Sequence, residues 1–171
     1  AFDGWLENYS EDPDTSDLVT GVLLAAQRRE AMKALIQADP ASALAEALSF
    51  EDRESLPEEI QQLLELPVRT TGDLEVISVC GLSEGQSSRT DHFAVDRLRD
   101  IRYQAFPVGA RQDVTTKRGI SIQGIAVDDV MALAPDPVRN VPEQERISLG
   151  LPENTIQVGG SFFVANDEAA I

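Results

Sequence analysis

The chain contains one cysteine, one histidine and two lysines, Lys33 and Lys117. A single cysteine excludes an internal disulfide. Cys80 and His92 together fall short of the four or so Cys and His ligands of a structural zinc site. No apolar run approaches the ~18 residues that a membrane helix needs. Neither G-x-G-x-x-G nor G-x-x-x-x-G-K-[ST] occurs, so both phosphate-cradling loops are missing. These absences lead us to expect no catalytic, cofactor-binding or metal-ligating set, and no enzymatic activity in this chain.

What the chain has in abundance is negative charge. Thirty Asp and Glu against fourteen Lys and Arg leave a net charge of −16 in 171 residues. Nucleic acid and anionic membrane surfaces repel such a surface, so neither is expected as a partner, and membrane insertion is not expected. An acidic, arginine-rich, lysine-poor surface suits a saline medium, where repulsion is screened. The chain begins "AFDGW", as a secreted protein would after removal of a signal, and an extracellular, bacterial location is expected. At 42% hydrophobic residues, the length suits one domain, or a small one with appended segments.

Residues 1–17 carry six acids and no base, with Phe2, Trp5 and Tyr9 between them, and read as an extended acidic arm. Ser16 is the expected N-cap of a helix whose apolar positions include Leu18, Val22, Met32 and Ile36. Asp39-Pro40 stops that helix and starts another, because proline suits a first turn. A further helix restarts at Pro57, which completes a helical unit over 18–66. From Pro67 the periodicity alternates. Strands are expected at 73–80, 92–98, 100–109 and 119–127, the last with a bulge at Gly124 where its apolar phase switches. "DDVMALAPDPVRN" reads as a helical turn closing a β-unit over 67–139. Residues 140–171 read as linker and a lone strand, "TIQVGGSFFVAN". The expected fold is α+β: a helical unit packed on a small, mostly antiparallel β-barrel or curled sheet, with an extended N-terminal arm and a C-terminal strand.

Three features carry candidate chemistry. Cys80 precedes Gly81, the pair that places a latency thiolate on zinc in some metallopeptidase propeptides; equally, Cys80 shares a strand face with Leu74 and Val76 and suits a core. Asp12-x-Asp14-x-Ser16 resembles the opening of a calcium loop, but Asp17 stands where glycine belongs and Leu23 where a bidentate Glu belongs. Asp91-His92 could supply two thirds of a hydrolase triad, although adjacency in sequence does not make one. The aromatic residues Trp5 and Tyr9 at one end, and Phe162 and Phe163 at the other, are candidate assembly contacts.

The segments "RREAMKALIQADPASALAEAL", "LPEEIQQLLELPVRTTGDLEV", "YQAFPVGAR" and "TKRGISIQGIAVDDVMALAPDPVR" occur in an order that resembles the N-terminal region of large secreted multidomain bacterial proteins. Some of these continue into a reprolysin-like zinc metallopeptidase domain, others into adhesive repeats. The likeness spans about residues 26 to 139 and rests on Ala, Leu, Pro and Gly spacings, not on a chemical motif. It implies a leading, non-enzymatic module: a pro-region or scaffold whose partners are other domains of its own precursor. It would make a propeptide the natural setting for Cys80, without depending on a Cys-Gly pair there. A self-assembling filament or surface-layer subunit, whose partner is a copy of itself through arm or strand donation, is a second expectation. An acidic hydrolase is a third.

Overall fold

The computed structural model describes residues 1–13, 17–79, 89–113, 115–141, 143–158 and 161–164. The chain divides into two compact units, Ala1–Pro135 and Asp136–Ile171.

The first unit opens with a helix, α1 (Phe2–Glu11), where an extended arm is expected. Its apolar residues explain the difference. Phe2, Trp5, Leu6 and Tyr9 are spaced i, i+3, i+4, i+7, which places them on one helical face. Phe2, Trp5 and Leu6 are buried, and the rings of Trp5 and Tyr9 stack at 5.1 Å. The acids occupy the remaining faces. Trp5 Nε1 donates to the carbonyl of Asp17 at 3.1 Å, just before α2 (Leu18–Ala38). Asp17 itself caps α2 by accepting from Val19 N at 3.0 Å and Thr20 Oγ1 at 2.6 Å. Ser16, the expected cap, lies outside the described residues.

Gly21 is what lets α1 lie against α2. A Cβ there would sit 2.4 Å from Trp5 Cζ2, so the indole occupies the space of the missing side chain. Gly21→Ala is expected to destabilise the first unit by about 1–3 kcal/mol, the usual range for overpacking. Thermal melts checked for loss of Trp5 near-UV dichroism would show it. An unchanged midpoint would mean that the indole is not held against α2.

Asp39 ends α2 and caps α3 (Pro40–Ala45), accepting from Ser42 N at 3.1 Å with Pro40 in the first turn, as expected. Short helices α4 (Phe50–Glu54) and α5 (Glu58–Gln61) follow. Arg28 and Glu65 then tie the helical layer together. The Glu65 carboxylate, 2% exposed, accepts from Arg28 Nη2 and from Leu48 N, both at 2.9 Å. Arg28 also donates to the Glu46 carbonyl, and Arg53 donates to the Glu65 carbonyl at 2.9 Å.

Five strands close a barrel in the order β1-β2-β3-β5-β4: β1 (Leu66–Val79), β2 (Arg89–Asp96), β3 (Ile101–Pro107), β4 (Lys117–Val127) and β5 (Val130–Leu133). Four of the neighbouring pairs are antiparallel, and β3 with β5 is parallel. The order is that of a closed, mixed five-stranded barrel, with the helices ahead of it in the chain. β1 is long enough to pair with β4 over its first half and β2 over its second. At the crossover Gly72 passes so close to β2 that a Cβ would lie 2.0 Å from the Val95 carbonyl oxygen.

Two local expectations change. "VMAL" is a strand, β5, and not a helical turn. Met131 and Leu133 face the barrel interior, while Val130 and Ala132 face α2 and α3, so all four are buried. A strand covered on both faces shows no alternation to read. The same cover explains the phase switch in β4. Register against β1 runs unbroken through Gly124, where pairing with β5 begins, so no bulge occurs there; the irregularity lies between Gly72 and Leu74 of β1. Ile122 and Ala126 line the barrel, whereas Ile125 and Val127 pack on the helices. Arg29 and Lys33 of α2 also hold Asp128 in the two-residue β4–β5 turn, Lys33 at 3.0 Å.

The second unit contains a three-stranded antiparallel sheet in the order β6-β7-β8: β6 (Val138–Asn140), β7 (Thr155–Val158) and β8 (Ser161–Val164). A short helix, α6 (Glu143–Ser148), precedes β7. The expected lone strand is therefore two strands, with β7 paired to β8 and to β6. The Gly-Gly pair between them was the available hairpin signal.

Candidate functional site

Among the sequence-predicted candidates, Cys80 and Gly81 lie outside the described residues, as do Asp14 and Ser16 of the acidic loop. Trp5 and Tyr9 are packed inside the helical layer, stacked on each other and against Gly21.

Asp91 and His92 sit near the start of β2, His92 opposite Ala105 of β3 and Val76 of β1, and Asp91 opposite Ile77 of β1. Successive side chains on a strand point to opposite faces. His92 shares the inward phase of Ala94 and Asp96 and is 8% exposed, whereas Asp91 points the other way. The two side chains therefore do not form a dyad by adjacency. His92 Nε2 is occluded and has no hydrogen-bond partner. A cleft of ≈ 300 Å³ opens beside the pair, lined by Pro40, Thr90, Gln104, Phe106 and Gln112 as well.

Asp96 closes the opposite end of β2. Its Oδ1 accepts from Leu98 N at 2.9 Å, Arg99 N at 3.2 Å and Thr70 Oγ1 at 3.2 Å. These bonds shape the β2–β3 turn, so this buried carboxylate serves the fold. Among the described residues, no three His, Cys, Asp or Glu side chains converge as a metal site. No helix among them is long and apolar enough to cross a membrane.

The second unit offers a different surface. On β8, Phe162 and Phe163 point to opposite faces of the sheet and are 39% and 52% exposed. Phe163 pairs with Ile156 across the ladder, beside half-exposed Val158. Val164, on the face of Phe162, is half-exposed too. Ile147 and Leu149, in α6 and just after it, are also exposed. Among the unit's described side chains only Val141 and Thr155 are buried. Apolar residues therefore lie open on both faces of a very small sheet. Sequence reading singled out the two phenylalanines but missed the ladder that presents them.

No family model matches the chain, and no curated protein or solved structure matches it significantly.

Proposed function

We propose that this chain is a non-enzymatic module of a larger secreted bacterial protein, a pro-region or scaffold that works through protein–protein contact. The observation that carries this reading is the open apolar sheet of the second unit. A unit below about 40 residues seldom builds a sufficient core of its own. This one leaves Phe162, Phe163, Val158 and Val164 half-exposed instead of packing them. A partner surface laid on that sheet would complete the missing core. The resemblance of residues 26 to 139 to leading regions of secreted precursors makes another domain of the same precursor the natural partner, and the contact would be inhibitory if that domain is a peptidase.

The test is co-purification with the polypeptide encoded directly downstream of Ile171. The wild-type chain is expected to co-elute with it. Phe162→Asp with Phe163→Asp should weaken the complex at least 30-fold, as the loss of a ~2 kcal/mol hot spot requires. A reading frame that ends at Ile171, or co-elution indifferent to the double variant, would contradict the proposal.

One observation favours self-assembly as a second reading. β8 is one of the two outer strands of its sheet and carries no charged residue or proline, the usual guards of an edge. Pairing of β8 between copies would make a filament or surface layer. A clean monomer mass at high protein and salt concentration would exclude that reading.

A further inference from the structure

Between α4 and the β1–β4 ladder lies a cavity of ≈ 480 Å³, within the size range of small-molecule sites. Its lining is assembled from residues far apart in sequence. Phe50, the first residue of α4, contributes an aromatic side chain that is 69% exposed. Pro67 and Ala134 supply apolar wall. Arg69 and Gln123 stand opposite each other in register on β1 and β4 and are its long polar side chains. No acidic residue lines the cavity.

Arg69 is among the described cations that form no ion pair. With thirty acids to fourteen bases, most of the cations described are taken up internally. Arg28 pairs with Glu65, Arg29 and Lys33 with Asp128, Arg97 with Asp73, and Arg102 with Glu75. Arg53 is spent on the carbonyls of Gln61 and Glu65. Arg69 has no ion pair or hydrogen bond among the described residues, although it sits in a pocket beside an open aromatic ring. Gln123 Nε2 donates to Ser121 Oγ at 3.1 Å, which leaves its second N–H available.

We propose that this cavity binds a carboxylate carried next to an aromatic or apolar group. The planar guanidinium of Arg69 takes both carboxylate oxygens, the geometry for which arginine is suited. The spare N–H of Gln123 donates to one of them, and the ring of Phe50 covers the apolar part. The carboxylate can come from a free organic acid or from the C-terminus of a peptide. The proposal stands independently of the contact reading above, because it uses a different unit of the chain.

The experiment is an amide-resolved NMR titration of the whole chain at low and physiological salt, with N-acetyl-L-phenylalanine, its carboxamide, and an acetylated Ala-Ala-Phe tripeptide acid as probes. The free acid is expected to give saturable shifts at Phe50, Arg69 and Gln123. Its Kd should be about 1 mM, as expected for a ligand of some fifteen non-hydrogen atoms. The carboxamide should bind at least 10-fold more weakly, as should the acid to Arg69→Gln. Arg146→Gln, in the other unit, should change nothing. Arg69 is exposed, so its variant is expected to keep the wild-type melting midpoint, and Arg69→Lys should restore part of the affinity. A tripeptide binding 10-fold more tightly than the free acid identifies a chain terminus as the source, and equal or weaker binding identifies a free acid. No saturable shift, equal binding of the carboxamide, or affinity unchanged in Arg69→Gln would overturn the proposal.

Discussion

Glu65→Gln is expected to cost about 3–5 kcal/mol of folding stability, the range for breaking a buried ion pair by removing one partner. The substitution keeps the shape of the side chain but leaves the Arg28 guanidinium without a counter-charge among buried groups. The pair sits where α2, the segment before α4 and the start of β1 converge, so the loss falls on the junction of helices and barrel. Urea denaturation at pH 7 measures it. Asp128→Asn is the control. Its ion pairs with Arg29 and Lys33 lie at the surface and should be worth less than about 1 kcal/mol.

The same carboxylate predicts a pH dependence. Burial pushes the Glu65 carboxyl up, but the hydrogen bond from Arg28, the Leu48 amide and the Arg28 charge outweigh it and hold the carboxyl below its ordinary value of 4.5. A pKa depressed by folding means the unfolded chain binds the proton first. The contribution of Glu65 is therefore full well above pH 4.5. It is lost as the pH falls below that value and through the folded-state pKa. Wild type should show this acid-limb slope, and Glu65→Gln should lose that part of it. Equal slopes in both would mean that folding does not lower the pKa of the Glu65 carboxyl.

Gly124→Ala is the second large effect expected, about 3 kcal/mol or more, at or beyond the upper end for overpacking. A Cβ at this position would lie 1.9 Å from the Ala132 carbonyl oxygen and 3.1 Å from Met131 Cε. The first collision is with backbone, which cannot rotate away as a side chain can. It falls where β4 pairs with β5, the strand that joins β4 to β3 and so closes the barrel. A melting curve together with near-UV dichroism checks it. A variant as stable as wild type would mean that β4 and β5 are less closely paired than described.

Much of the architecture could be read from the sequence because it is written in local rules. Asp39-Pro40 announces a stop and a start, and alternation in "HFAVDRL" and "IRYQAF" announces half-buried strands. What escaped was set by tertiary context. The Phe2-Trp5-Leu6-Tyr9 stripe is helical in spacing, but six acids made the segment look solvated. β5 is covered on both faces, so its four apolar residues give no period. The parallel pairing of β3 with β5 and the meeting of Phe50, Arg69 and Gln123 depend on barrel closure, which no local pattern encodes. Strand alternation sends Asp91 and His92 to opposite faces, a consequence available once residues 92–98 are assigned to a strand.

The barrel carries its own core, whereas the small sheet does not. Native-state hydrogen exchange of the isolated chain tests that contrast most directly. Amides of Leu74, Ile122 and Met131 should exchange only through global unfolding. Those of β7 and β8, Ile156 and Phe163 among them, should exchange with far lower protection, which rises when the downstream polypeptide is added. Protection in β7 and β8 equal to that of the barrel, in the chain alone, would show that the sheet is already complete and would contradict the proposal that a partner completes it.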